Sequence, residues 1–287
     1  MVRERGLAIL FTICAAILWS TGGLFIKLLP IDAFTINFYR SFYASVIFVL
    51  IYRKRLFKFN KLSIVSSLFY APLLLTFVTS TKLTTAANAI FLQYTAPAFV
   101  LLLEPYFVRT KLKKINIFTV AVCFSGMTLF FVEQFTRPEN WLGIWIALAG
   151  GIIMSGLLIT QKMNRPEFQP GAIFIGNILV CIITLPWFIS NPLPSLAENN
   201  YLMILGFGQL GIGFALFLYG QKYLPAIESS LIAMLEPLLN PVWVFWGYGE
   251  NPGYWAFVGG LVIISALIFR LYWIEFIEKR KIPHQPI

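Results

Sequence analysis

Long apolar runs dominate the chain, and short groups of charged residues, prolines and asparagines separate them. A bilayer core about 30 Å thick requires about 20 mainly apolar helical residues, and only helices and closed barrels span it. Runs this long and this apolar predict helices. The ten predicted spans are 7–29, 33–52, 61–81, 84–107, 115–133, 141–162, 170–190, 200–221, 225–246 and 252–273. Because the connections are short, the pattern predicts an all-α polytopic membrane protein without a separate soluble domain.

The composition agrees with a location in lipid. Hydrophobic residues make up 59% of the 287 residues and charged residues 12%, whereas soluble domains contain about 45–50% and about 25%. Much of the surface must therefore face the lipid bilayer. The net charge of +10 is carried by short segments between the apolar runs and not by one face of a soluble body. We therefore expect no nucleic-acid partner.

The basic residues predict an orientation, because positive residues near helix ends favour the cytoplasmic side of a membrane. They cluster in alternate connections: Arg53, Lys54, Arg55 and Lys58; Arg109, Lys111, Lys113 and Lys114; Lys162 and Arg165; and Lys279, Arg280 and Lys281. The other connections are poor in basic residues, apart from Lys82 and from Arg137, which nearby acids offset. We expect a multi-pass protein of the cytoplasmic (inner) membrane with both termini in the cytoplasm.

Cysteine and histidine give no sign of a metal or cofactor site, so none is expected. Cys14, Cys123 and Cys181 lie inside apolar runs without metal-type spacing, and the one histidine is His284. The phosphate-binding pattern GxxxxGK[ST] is absent, so ATP hydrolysis by that route is not expected. These features disfavour an enzyme. A membrane-embedded lipid-modifying enzyme is kept as an alternative.

The chain carries a weak internal repeat. A shift of 140 residues places Pro97 on Pro237, and a shift of 135 places Ser20 on Ser155. The first shift also superposes predicted helices 3 to 5 on helices 8 to 10 without a gap. Five spans per unit is an odd number, so the second unit must enter the membrane from the opposite face. We predict two inverted five-helix repeats, 1–137 and 138–287, around a central cavity.

Four short stretches resemble a known family. They are AAILWS (15–20), INFYRS (36–41), LQYTAP (92–97) and AMLEP (233–237). In this order and spacing they resemble the EamA-type transporters of the drug/metabolite transporter superfamily. The resemblance implies two inverted helical bundles around a central cavity. It also implies small-metabolite substrates, often amino acids or related compounds, with many exporters and some importers.

Two charged residues lie within predicted spans, where ionisable groups are costly and usually face a cavity or a partner. Glu236 lies about 16 Å from the inner end of its span and Arg40 about 10 Å from the outer end of its own. We expect both to face the central cavity and to pair directly or through substrate, or to form a purely structural ion pair. Glu236 is the candidate for proton coupling, since a desolvated carboxylate can bind a proton near neutral pH. Passive facilitated exchange is the alternative.

Three prolines within the apolar runs are candidate helix kinks. Proline lacks the N–H that a helix needs and clashes with the carbonyl four residues earlier. Pro97, Pro237 and Pro241 are therefore expected to bend their helices and to free backbone carbonyls near Glu236 or the cavity. An architectural bend without a binding role is the alternative.

Other polar and aromatic residues complete the candidate site. Those that could hydrogen-bond a solute are Asn88, Gln93, Tyr94, Asn177 and Gln209. Those that could form apolar or cation–π walls are Trp19, Tyr70, Phe77, Tyr219 and Trp243. Any single aromatic could instead face lipid or anchor the interface.

These features predict a secondary transporter that exports an amino acid or a related zwitterion by alternating access. Glu236 with the aromatic residues would suit a cationic group, and Arg40 would suit a carboxylate. A site that contains all of them would suit a zwitterion. Import of an organic cation or a vitamin-like solute is the alternative within transport. The expected partners are the solute and the bilayer, and the expected state is a monomer or a homodimer.

Overall fold

The computed structural model describes residues 2–108, 114–136, 140–224, 229 and 232–273, and within these ranges it contains helices and no strand. The α-helices are α1 (Val2–Ser20), α2 (Gly22–Leu28), α3 (Ala33–Tyr52), α4 (Lys61–Leu83), α5 (Ala86–Gln93), α6 (Ala96–Val108), α7 (Lys114–Thr136), α8 (Trp141–Met163), α9 (Gln169–Ser190), α10 (Leu196–Met203), α11 (Gly213–Tyr223), α12 (Leu235–Tyr248) and α13 (Tyr254–Tyr272). Short 3₁₀ segments cover Arg53–Phe57 and Pro166–Phe168, and a π-helical segment covers Ile204–Ile212.

Local chemistry determines where several helices begin. Asp32 accepts hydrogen bonds from the backbone N–H groups of Phe34 and Thr35 at 2.9 and 3.0 Å, which caps α3. Asn60 and Ser63 form a capping box at the start of α4. Such side chains satisfy the N–H groups that the first turn leaves without partners. At the other end of a helix, Gly249 follows α12 with φ +77°, a conformation that glycine adopts without steric cost.

Most predicted spans coincide with helices to within a few residues. Seven described helical segments are long and apolar enough to cross a membrane: Glu4–Leu28, Ala33–Phe57, Lys61–Leu83, Ala86–Leu103, Trp141–Met163, Pro166–Ser190 and Leu196–Tyr223. Two shorter apolar helices cover Lys114–Leu129 and Tyr254–Arg270. Much of the first half of predicted span 225–246 lies outside the described residues. The chain is a polytopic helical membrane protein, while the count of ten and the inverted repeat stay predictions.

The helices pack closely through small residues. α4 packs against α8 and α9, α3 packs against α9, and α7 packs against α13. A Cβ added to Gly151 of α8 would lie 2.8 Å from the carbonyl oxygen of Leu92. Glycine therefore allows the backbone of α8 to approach the end of α5, as small residues do between membrane helices.

Three apolar runs are broken near their middle. The breaks lie at Thr21, at Tyr94–Thr95 and at Met234. Pro97 and Pro237 lie in the first turn of α6 and α12, where a missing N–H costs nothing, while Pro241 lies inside α12. Pro97 and Pro237 were expected to bend continuous helices. Instead, each helix is broken three residues before its proline. The 140-residue shift also relates these two breaks to each other.

The helical segment that follows α10 is wound as a π-helix. Nine residues, Ile204–Ile212, are π-helical and include Gly206, Gly208, Gln209 and Gly211. A Cβ added to Gly206 would lie 2.9 Å from the carbonyl oxygen of Arg40. The segment therefore lies directly against α3, and π-helical turns are frequent at functional sites.

Candidate functional site

Glu236 and Tyr94 meet where two broken helices approach each other. The Tyr94 hydroxyl donates to Glu236 Oε2 at 2.7 Å and lies 3.3 Å from the carbonyl oxygen of Ala233. Tyr94 is buried and follows α5, whereas Glu236 is partly accessible and lies in the first turn of α12. The sequence predicted each residue as a site residue, and the structure brings the two together.

Arg40 lies at a second polar centre and is almost fully buried, with 2% of its surface exposed. Its Nη2 donates to Gln209 Oε1 at 2.7 Å, and Gln209 Nε2 donates to the carbonyl oxygen of Trp19 at 2.9 Å. The guanidinium carbon lies 5.7 Å from the centre of the Phe77 ring. Arg40 Nε and Nη1 have no hydrogen-bond partner among the described residues. Four predicted site residues thus form one cluster.

Arg40 and Glu236 form no direct salt bridge within the described ranges. Each has a neutral partner, Gln209 for Arg40 and Tyr94 for Glu236. The two charges are nevertheless close enough to interact electrostatically. The expected direct pair is therefore not formed in this structure, and pairing through a solute stays a prediction.

Aromatic rings lie beside the Arg40 cluster. The Trp19 ring centre lies 4.9 Å from that of Phe214 and 4.8 Å from that of Phe217. Tyr70 meets Phe214 edge-on at 5.6 Å, and Asn177 Nδ2 lies 3.4 Å from the Tyr70 hydroxyl. Trp19, Tyr70 and Asn177 are therefore linked through Phe214 and the Tyr70 hydroxyl into one aromatic and polar group.

The remaining predicted residues are more dispersed. Trp243 Nε1 donates to Ser20 Oγ at 2.9 Å, beside the break between α1 and α2. Gln93 lies against Gly150 of α8, and Asn88 Nδ2 donates to Thr84 Oγ1 at 3.0 Å. These contacts place Gln93 and Asn88 against α8 and the start of α5.

Asn240 is a site residue that the sequence reasoning missed. It is fully buried, and neither of its side-chain polar atoms has a partner among the described residues. A Cβ added to Gly23 would lie 2.5 Å from Asn240 Oδ1, so only glycine at position 23 leaves room for the Asn240 side chain. Asn240 lies four residues after Glu236, about one helical turn away on the same face of α12. That spacing within an apolar run was the signal available in the sequence.

A cavity of about 1380 Å³ lies at the end of the bundle where α3, α8 and α11 finish and α9 begins. We call this the inner end, because the sequence predicts it to be cytoplasmic. The lining reaches Pro97, three residues after Tyr94. It also reaches Met234, two residues before Glu236. Tyr219 also lines it. The cavity therefore leads from the inner end towards the Tyr94–Glu236 pair.

At the opposite, outer end, polar contacts join separate parts of the chain. Lys27 Nζ lies 2.6 Å from Glu250 Oε2 and donates to the carbonyl oxygen of Thr84 at 2.8 Å. Glu250 Oε1 accepts from the backbone N–H of Ala86 at 2.7 Å. We call these contacts among Lys27, Glu250, Thr84 and Ala86 the outer lock. Beside it, Lys82 Nζ donates to the carbonyl oxygen of Leu29.

The site offers no metal-binding set among the residues that the structure describes. These residues contain no group of three His, Cys, Asp or Glu side chains that could hold an ion. The chemistry available is hydrogen bonding, charge recognition and aromatic contact. Such groups can bind and release a small polar solute without a covalent step.

Comparison with known proteins gives a family match along the chain. The model of the "EamA-like transporter family" matches residues 6–132 and 141–272. An "Uncharacterized transporter" of Archaeoglobus fulgidus is 20% identical over 259 residues, covering 89% of this chain and 93% of that protein. The "Uncharacterized transporter YxxF" of Bacillus subtilis is 26% identical over 196 residues, covering 66% and 62%. A solved crystal structure with 18% identity and a TM-score of 0.64 covers 95% of this chain and 98% of that one, which supports the fold alone.

Proposed function

Because the chain belongs to the EamA-like transporter family, we propose that it is a secondary transporter that exports a small zwitterionic metabolite by alternating access. An amino acid or a close relative is the proposed substrate. The observation that carries the proposal is the cavity at the inner end, whose lining extends to Pro97 and Met234, close in sequence to Tyr94 and Glu236. The outer lock joins distant parts of the chain at the opposite end, and we infer that it closes that end. A site near the middle, open on one side only, is what alternating access requires.

The two polar centres support a zwitterion as the solute. Glu236 is a partly accessible carboxylate that could accept hydrogen bonds from an ammonium group. Arg40 Nε and Nη1 have no hydrogen-bond partner among the described residues, and a guanidinium N–H forms a charge-assisted hydrogen bond with a carboxylate. A buried charge with only neutral partners is costly. A solute carrying both charges would reduce that cost at both centres.

We derive a transport cycle from the inner cavity and the outer lock. The solute enters the inner cavity, displaces the Tyr94–Glu236 hydrogen bond and reaches Arg40. Rearrangement at the helix breaks then closes the inner end and separates Lys27 from Glu250. Release to the outside allows the outer lock to form again. In this cycle Glu236 binds a proton when the ammonium group leaves, which couples export to a proton gradient.

Counterflow in proteoliposomes tests the proposal. Purified protein is reconstituted, loaded with a mixed metabolite panel and assayed by mass spectrometry for exchange. We expect amino acids to exchange, and Glu236→Gln to raise KM at least about tenfold, because a hydrogen bond to a charged group contributes about 1.5–3 kcal/mol. Glu236→Gln should also remove the response to a pH gradient.

Glu198→Gln is the matched control. Glu198 lies at the outer end in a capping box with Ser195, a role that glutamine can also fill. It should exchange like the unaltered protein. Exchange of an organic cation without amino acids would favour the import alternative. No exchange in a folded preparation, or an unaffected Glu236→Gln variant, would contradict the proposed function or its site.

A further inference from the structure

The described lining of the inner cavity is strongly basic. Its ionisable cations are Arg55, Lys58, Lys162, Lys222 and Arg270, and its one carboxylate is Glu167. We call these five cations the basic mouth. They come from the ends of α8, α11 and α13 and from the segment after α3, so helices distant in sequence supply one sign of charge to one opening.

Three of the five cations have no ion-pair partner among the described residues. Arg55, Lys58 and Lys222 form no salt bridge in the part of the chain that the structure describes, and Lys222 lies 5.0 Å from the Tyr223 ring centre. Arg270 Nε donates to the neutral Asn116 side chain at 3.0 Å. Glu167 Oε1 lies 3.9 Å from Arg165 Nη1, so the one carboxylate is itself shared with another cation.

Orientation in the membrane explains why basic residues lie at this end, but it does not make them line a cavity. Once they do, their potential acts on any solute that enters. Clefts lined by one sign of charge with low-dielectric walls raise the local concentration and association rate of the opposite charge by about 10–1000-fold. The same field repels cationic solutes.

We infer that the transported solute is a net anion, namely an amino acid with a second carboxylate or a compound of the same charge pattern. This inference rests on the proposed function. Glu236 receives the ammonium group and Arg40 one carboxylate, while the second carboxylate faces the basic mouth. An amino acid with a neutral side chain lacks that last interaction, and one with a basic side chain meets repulsion.

The test compares solutes of nearly equal shape and different charge. Glutamate, glutamine and lysine are assayed by counterflow with the full-length protein in proteoliposomes of neutral lipid, at about 0.01 M and about 1 M ionic strength. The Debye length falls from about 30 Å to about 3 Å over this range. We expect glutamate to have a KM at least about tenfold below that of glutamine at low salt, with lysine poorest, and this preference to shrink at high salt.

Variants identify the charges responsible. Arg55→Gln with Lys58→Gln removes two cations of the basic mouth, whereas Lys54→Gln with Lys61→Gln removes two exposed cations near the same connection that do not line the cavity. The first pair should raise the glutamate KM about three- to tenfold at low salt and leave kcat and the glutamine KM unchanged. The second pair should change neither value.

The outcomes separate the inference from the proposed function. Equal KM values for glutamate and glutamine, or equal losses in both variant pairs, would overturn the inference and leave an amino-acid transporter. Exchange of none of the three solutes would overturn the inference together with the zwitterion substrate. Melting temperatures of both variant pairs show whether each one folds.

Discussion

The two ends of the molecule differ in the charges they bring together. At the outer end, opposite or complementary groups from distant parts of the chain meet, as Lys27 with Glu250 at 2.6 Å and Asp32 with Asn191 at 2.7 Å. At the inner end, the described residues that line a cavity of about 1380 Å³ include five cations and one carboxylate. Opposite charges and hydrogen-bond partners attract each other, whereas like charges repel. The charge pattern therefore favours a closed outer end and an open inner end.

Neutral contacts join the start of α4 to the segment after α8 at the inner end. Asn60 Nδ2 donates to Asn164 Oδ1 at 2.9 Å, and Asn164 Nδ2 donates to Ser63 Oγ at 3.2 Å. A neutral hydrogen bond contributes about 0.5–1.5 kcal/mol, less than the about 1.5–3 kcal/mol of a hydrogen bond to a charged group such as those of Lys27 and Glu250. The outer contacts are therefore the more costly ones to break during a cycle.

Reversing one charge of the outer lock should give the largest effect. Lys27→Glu places two carboxylates together, so that the attraction between residues 27 and 250 becomes a repulsion. The outer end should open, so that Leu29→Cys reacts at least about tenfold faster with a membrane-impermeant maleimide applied outside. Cys14, Cys123 and Cys181 are replaced by alanine in this background.

Two controls make the Lys27→Glu result specific. The double variant Lys27→Glu with Glu250→Lys should label more slowly than Lys27→Glu, because it restores an ion pair of reversed polarity but not the contacts with Thr84 and Ala86. Lys61→Glu, an exposed lysine at the inner end, should leave labelling unchanged. Fast labelling in the double variant would mean that the pair does not hold the outer end closed.

Removing the neutral inner contact should give a smaller effect. Asn164→Ala deletes its hydrogen bonds to Asn60 and Ser63 and should lower the melting temperature by about 2–4 °C, as a loss of about 1 kcal/mol does in a domain of 150–250 residues. Labelling of Leu29→Cys from outside should stay slow. An effect on outer labelling as large as that of Lys27→Glu would remove the distinction between the two ends.

Much of the fold could be predicted from sequence. The span 33–52 has the same bounds as α3 because Asp32 and Arg53 delimit its apolar run sharply. The helix breaks were predicted less well. A proline marks a bend to within a turn, but it does not show that the break lies three residues earlier, where the proline then begins a new helix.

The candidate site was predicted as a set of residues and not as a set of contacts. The Tyr94–Glu236 and Arg40–Gln209 hydrogen bonds join residues 142 and 169 positions apart, so helix packing decides them. The direct Arg40–Glu236 pair was expected from similar depth alone, which does not specify the neighbour that each charge finds. The outer lock was missed for the same reason, since Lys27 and Glu250 each resemble an ordinary residue at the end of a span.

Covalent closure of the outer end tests alternating access most directly. Lys27→Cys with Glu250→Cys, without the native cysteines, is reconstituted and joined by a short reducible bis-methanethiosulfonate crosslinker, and amino-acid counterflow is measured before and after reduction. Each single-cysteine variant receives the same reagent as a control. We expect exchange to stop on crosslinking and to return on reduction. Undiminished exchange in the fully crosslinked protein would show that the outer end need not open, and would contradict the account.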